Sequence, residues 1–222
     1  MTLSAFDVIG PVMVGPSSSH TAGAARIGLA ARLLLGETPL SVRFGLHGSF
    51  AATGQGHATD RALLAGMLGD SPDNKALPES FERARNAGLQ FEFAAIDLGD
   101  EAHPNSVRIE AASATRQLTM TAASVGGGVV VIREIDGHGT ALSGARPTLV
   151  CWHSDQRGFL AALTALFAQV AVNIASISTS RKSRGGAALT VAEADEAIPP
   201  TLPQEAARLP GVTRVILLPS LP

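Results

Sequence analysis

The chain has 222 residues, 45% of them hydrophobic and 16% charged, a balance that supports one large core or two small ones and excludes a disordered polypeptide. A formal net charge of -2 with no basic stripe argues against nucleic acid as the main partner. No apolar run is long enough to span a bilayer and the N-terminus carries no signal-peptide pattern, so the expected setting is the cytoplasm, without a membrane.

The single cysteine, Cys151, cannot form an internal disulfide, a zinc finger or an all-cysteine iron–sulfur site, and no metal site is expected on this chain. The lysines, Lys75 and Lys182, both lie outside any glycine- or serine-rich phosphate-binding context, which argues against a pyridoxal enzyme. A cofactor, if the chemistry needs one, has to come on another chain.

In chain order, Leu3 to Val14 reads as an extended apolar segment ending in Gly15-Pro16. Thr21 to Leu35 is helical, with Ile27, Ala31 and Leu34 on one stripe, and Gly36 stops it. Ser41 to Leu46 alternates as a strand. A glycine-rich polar stretch follows to Asp60, then a helix from about Thr59 to Leu68 and another over Pro78 to Ala87. Leu89 to Ile96 alternates as a strand, and Ala102 to Ser106 is a loop leading into Val107 to Ile109. Leu118 to Ala122 and Val129 to Ile135 are strands flanking Ser124 to Gly128.

Asp136 to Pro147, glycine-rich and without periodicity, marks a boundary between domains at 1–140 and 147–222. Beyond it come strand Thr148 to His153, helix Phe159 to Val170 and strands Val172 to Ser180 and Ala187 to Ala192. Helix Thr201 to Leu209 and strand Val212 to Leu218 complete a βαββαβ, ferredoxin-like order. The expected fold class is α/β (α+β), a mixed N-terminal domain followed by this ferredoxin-like one.

Four polar, glycine-rich islands fall at element junctions: Gly15 to Thr21, Gly48 to Asp60, His103 to Ser106, and Ser124 to Gly128. Glycines let backbone approach a ligand and aim N–H groups at an anion, and a helix N-terminus adds a favourable dipole. Together they suit a small anionic substrate such as an amino or hydroxy acid. Each island also has an ordinary reading. Ser19 or Thr21 caps a helix, Gly126 to Gly128 makes a bulge, and His47, His103, His138 and His153 taken singly are structural or exposed. Gly54 and Gly56 give G-x-G, but Thr59 breaks the dinucleotide fingerprint.

Gly15-Pro16-Ser17-Ser18-Ser19-His20-Thr21, the stretch Gly48 to Asp60, His103-Pro104-Asn105 and Ser124-Val125-Gly126-Gly127-Gly128, in that order, closely resemble the beta chain of iron–sulfur-dependent bacterial L-serine dehydratases. Residues 147–222 resemble the ACT domain that ends many such chains. The resemblance implies β-elimination of water from L-serine, giving pyruvate and ammonia. It also implies a [4Fe–4S] cluster whose cysteines lie on a partner alpha subunit.

A Cα proton needs a positioned base, and imidazole suits that role. In this reading His57 is the base, His20 with Ser18, Ser19 and Thr21 orients substrate, and Asn105 with Ser124, Gly126, Gly127 and Gly128 holds the carboxylate. The roles of His20 and His57 are exchangeable at this level. Ala24, Ala58 and His47 depart from the family, which more often has proline, glycine and tyrosine there. In the ACT segment, Asp155, Gly158 and Asn173 are the expected effector contacts between paired domains. The alternative there is a dimerisation module without ligand. For the whole chain, the competing reading is an amino-acid-sensing subunit without catalysis.

Overall fold

The computed structural model describes residues 12–54 and 56–222. The expected extended segment at Leu3 to Val14 falls, as far as Pro11, outside the described residues. Two compact units divide between Gly137 and His138.

In the first unit a wide π turn, Ser18–Ala22, runs directly into α1, Gly23–Leu35. Gly36 closes α1 in the left-handed region, φ 71°, with its N–H on the Arg32 carbonyl. Then follow β1 (Ser41–Leu46), α2 (Gly48–Thr53), α3 (Thr59–Leu68) and a 3-10 turn (Leu77–Glu79) leading into α4 (Ser80–Asn86). Four strands complete the unit: β2 (Gln90–Ala95), β3 (Ser106–Ala112), β4 (Gln117–Gly126) and β5 (Val129–Ile135).

These strands lie in the order β2-β1-β3-β4-β5. β1 runs parallel to β2, and every other pair is antiparallel. A parallel pair requires a crossover, and the three helices between β1 and β2 provide it. One sheet face is apolar: Val42 and Phe44, Val107 and Ile109, Leu118 and Met120, Val130 and Ile132 are all buried. The other carries exposed pairs such as Arg43–Glu92 at 2.7 Å, worth little to stability. Phe81 on α4 packs against Phe91 and Phe93 of β2 with ring centroids 5.3 and 5.9 Å away, anchoring the crossover's far end.

The closest helix pairing is α1 on α3. A Cβ added to Gly28 would stand 2.1 Å from the Leu63 carbonyl oxygen, and one on Gly66 would stand 2.1 Å from that of Ala25. The two backbones therefore touch, which only glycine permits.

The second unit opens with β6 (His138–Leu142) and continues β7 (Thr148–Ser154), α5 (Phe159–Gln169), β8 (Ile174–Arg181), β9 (Ala187–Ala194), α6 (Thr201–Ala206) and β10 (Val212–Leu218). Its antiparallel sheet has the order β10-β7-β9-β8. From β7 onward the order is the βαββαβ read from the sequence, and the mixed α/β class holds for the chain. Leu149, Cys151, Phe159, Leu163, Phe167, Ala192 and Leu202 form its core.

Three expectations need correction. Gly48–Thr53 is helical, although small residues and glycine mask its pattern. β4 runs on through Ser124 to Gly126, so Ser124 sits in a strand and not in a loop. The boundary stretch read as lacking regular structure contains β6, whose five residues are too few to show a period. Among the described residues no helix is long and apolar enough to cross a membrane.

Alanine in a helix interior usually stabilises by about 1 kcal/mol over glycine. At the α1–α3 contact the sign should reverse. Gly66→Ala is expected to lose about 1–3 kcal/mol by overpacking, read as a lower melting temperature or urea midpoint.

Candidate functional site

The first island folds back on itself. Gly15 has φ 136°, and a Cβ there would lie 2.5 Å from Thr21 Cγ2. Ser17 caps the π turn, its Oγ accepting the His20 backbone N–H at 3.2 Å. The Ser17 carbonyl accepts from Thr21 at 2.8 Å and from Ala22 at 3.4 Å, the second bond being the wider i+5 closure of a π turn. Ser18 contributes its carbonyl, which accepts the Gly23 N–H.

His20, presented by this turn, is bonded at both ring nitrogens. Nδ1 lies 3.2 Å from Ser19 Oγ and 3.5 Å from Ser17 Oγ, and Nε2 lies 3.0 Å from Ser49 Oγ. The Phe50 ring meets it edge-on at 5.4 Å, and the His57 ring lies 5.1 Å away. Burial, and secondarily the charge of His57, lower the His20 pKa from 6.5, so the ring is neutral at neutral pH.

His57 comes from the second island. Gly48, at φ 55°, fits α2 against Pro104, where a Cβ would approach the proline carbonyl oxygen to 2.7 Å. The His57 N–H bonds the Thr53 carbonyl at 3.1 Å, and the Thr21 hydroxyl donates to the His57 carbonyl at 3.0 Å. Its Nδ1 is buried without a hydrogen-bond partner among the described residues, as are Thr59 Oγ1 and Ser124 Oγ. A buried polar atom left open is costly and asks for a ligand or water. Ala58, between His57 and α3, is held at φ 56°.

The third and fourth islands close the ring. His103 Nδ1 accepts the Asn105 N–H at 3.1 Å, and burial, then Arg133, lowers the His103 pKa. Asn105 is tied twice to Ser124: its carbonyl accepts the Ser124 N–H at 3.0 Å, and its Nδ2 donates to the Ser124 carbonyl at 3.4 Å. The fully buried Ser124 packs on Gly23, where a Cβ would come within 2.1 Å of its Oγ. Gly126, Gly127 and Gly128 have φ 120°, 58° and 79°, and Arg26 Nη1 donates to the Gly128 carbonyl at 2.6 Å.

One unbroken set of contacts thus joins all four islands. The structure brings His20, His57, Ser19 and Thr21 together on one side, with Asn105 and Ser124 reaching them through Gly23. The Thr21 hydroxyl is spent on the His57 carbonyl, and the Ser124 hydroxyl is buried against Gly23. Ser49 escapes a reading by residue type, because it looks like one small residue among many. Its position four residues before Thr53, the helical spacing at which that hydroxyl returns to the Ser49 carbonyl, is the signal that was available. His47 is engaged elsewhere, accepting the Leu98 N–H at 3.2 Å.

The three second-unit residues do not share partners. Asp155 accepts Arg181 Nη1 at 2.6 Å and the Gly185 N–H at 3.0 Å, bonds that lower its carboxyl pKa, the backbone one foremost. Asn173 donates its N–H to Glu196 at 2.9 Å and its amide to Asp195 at 2.7 Å. Gly158, at φ 84°, lines a cavity of about 220 Å³ with Gln156, Arg157, Phe159 and Leu209.

The family model described as serine dehydratase beta chain matches residues 4–135. The chain is 37% identical over 212 residues to a probable L-serine dehydratase, beta chain, of Bacillus subtilis strain 168, covering 96% of each. It is 39% identical over 200 residues to the L-serine dehydratase, beta chain, of Peptoniphilus asaccharolyticus, covering 90% of each. With the L-serine dehydratase of Streptomyces coelicolor it shares 37% identity over 155 residues, 59% of this chain and 34% of that one.

Three outcomes are expected. A histidine NMR titration should place the His20 midpoint below 6.5, and His57→Gln should raise it only part of the way, since burial is the larger cause. Stability should correspondingly fall as pH drops from 6.5 towards that midpoint, because the unfolded chain takes up the proton first. Separately, Ala58→Gly should raise the melting temperature, relieving a left-handed backbone that costs a residue with a Cβ about 1 kcal/mol.

Proposed function

Because the chain belongs to the serine dehydratase beta chain family, we propose that it is the beta subunit of an L-serine dehydratase. In this reading it works beside an alpha subunit to convert L-serine to pyruvate and ammonia. The observation that carries the reading is the junction of the four islands around His20 and His57, with His57 Nδ1 buried and without a hydrogen-bond partner among the described residues.

The geometry favours His57 as base. His20 already holds a partner at each ring nitrogen, whereas His57 Nδ1 has none among the described residues. In this proposal the His57 imidazole takes the Cα proton, the Cα–H pair forms the Cα=Cβ bond, and the hydroxyl leaves Cβ with its own pair. The aminoacrylate then tautomerises and hydrolyses. His20, steadied by Ser19, orients substrate with Ser18. Asn105 keeps one amide hydrogen free of Ser124, and with the N–H groups of Gly126, Gly127 and Gly128 it is the carboxylate contact of this proposal.

A [4Fe–4S] cluster would supply Lewis acidity towards the leaving hydroxyl. This chain's own donors do not fit the role of holding it. Cys151 is fully buried with its thiol pushed up to about 12, and among the described residues no group of three His, Cys, Asp or Glu is placed to hold a metal ion. In this proposal the cluster belongs to the alpha subunit. The L-serine dehydratase of Streptomyces coelicolor has most of its length outside the 34% that this chain matches.

The βαββαβ order of the second unit supports an ACT domain there. Asp155 and Asn173 are bonded inside the unit, which argues against effector capture by those two side chains; self-association remains the reading proposed for it. The sensing alternative gives no use to an open imidazole nitrogen in the site.

Anaerobic reconstitution with an alpha chain carrying an intact cluster should give pyruvate from L-serine, and neither chain alone should. His57→Ala should still assemble but lose about 10²–10⁴-fold in kcat. Normal turnover by that variant, or none by the wild-type pair, would sink the assignment.

A further inference from the structure

The loop from His103 to Ser106 is tied to its neighbours through the backbone. The Pro104 carbonyl accepts the Phe50 N–H at 3.4 Å, the Asn105 carbonyl accepts the Ser124 N–H at 3.0 Å, and the Ser106 carbonyl accepts the His47 N–H at 3.0 Å. The Asn105 N–H goes to His103 Nδ1 at 3.1 Å, and in this set it is the bond that contains a titratable acceptor. Its direction is fixed, because a backbone N–H can only donate. Nδ1 is therefore bare, and the neutral ring carries its hydrogen on Nε2. A proton added to that ring enters at Nδ1 and sets one N–H against another. Charging His103 and holding Asn105 exclude each other.

We propose that His103 is a positioning residue of this site: as a neutral imidazole it holds the Asn105 backbone, and when protonated it releases it. The proposal rests on reading Asn105 as a contact of the substrate carboxylate. The Asn105 amide is bonded to the Ser124 carbonyl at only 3.4 Å, so a shift of the Pro104–Asn105 peptide carries the side chain with it. Arg133, in β5, is the charged group whose field reaches the ring, and it acts with burial to favour the neutral form. Among the described residues no aspartate or glutamate counters them. The bond spans two residues, and an asparagine side-chain oxygen can make the same one to the backbone N–H two positions on. His103→Asn therefore keeps the acceptor and removes the titration.

Nitrogen-15 histidine NMR on the full chain tests the bond without any activity. His103 should be the Nε2–H tautomer at neutral pH, and the Asn105 amide proton should titrate with it at a midpoint below 6.5. A neutral ring protonated on Nδ1, or an Asn105 amide blind to the titration, overturns the proposal. In the reconstituted complex at neutral pH, His103→Ala should raise KM for L-serine about 3–10-fold, the worth of one hydrogen bond, and change kcat less. His103→Asn should restore the wild-type KM. As the pH is lowered through the NMR midpoint, the wild-type KM should climb above that of His103→Asn by the same factor, because only the wild type loses its acceptor. A histidine that merely fills space would give no such divergence, so coincident KM profiles also overturn the proposal. An inactive wild-type complex would count against the L-serine reading, while the NMR result would still judge the His103–Asn105 bond.

Discussion

The contact on which the site depends is the backbone-to-backbone crossing of α1 and α3. Gly28 lies against the Leu63 carbonyl and Gly66 against that of Ala25, leaving no room for one methyl group on either side. His20 sits in the turn that runs into α1, and His57 lies just before α3. Fixing the two helices at contact distance therefore fixes the two imidazoles relative to each other. The Thr21–His57 bond and the stacked small residues Ala22, Gly23 and Ala24 repeat the same constraint closer to the site. Catalytic geometry is most reproducible on elements that cannot shift, and two helices without intervening side chains have little freedom to slide.

The site shows a second consequence of using glycine as a spacer. Ser124 presses against Gly23, and Pro104 against Gly48, so strand and loop come as close to the helices as the helices do to one another. The four islands are thus structural and functional at once. Their glycines create the close approaches, and those approaches bring the polar atoms into one place. The two readings weighed against each other for each island are not exclusive.

Much of this was legible in the residues. Periodicity located α1, α3 and β1, and alternation located most other strands, β6 excepted, because apolar faces buried against helices impose those spacings. What escaped has a common cause. The π turn at Ser18–Ala22 depends on one extra closure to Ala22, which no composition announces. α2 has too few residues and too many small ones to show a period. The contact of His20 with Ser49 joins residues 29 positions apart that only the fold brings together. In the second unit, Asp155 and Asn173 were marked by their position beside turns. Their actual partners, Arg181 and Asp195, are set by strand register.

Cys151 lies in the middle of β7 with no accessible surface, and burial raises its thiol far above the range where thiolate forms. Alkylating agents and peroxide react with thiolate, so this chain presents them with almost nothing to modify. In any assembly it joins, a thiol-directed reagent reads the other subunit against a silent background. Sensitivity of such an assembly to those reagents would then be a property of its partner, and this chain could be handled in air while the partner is kept from it.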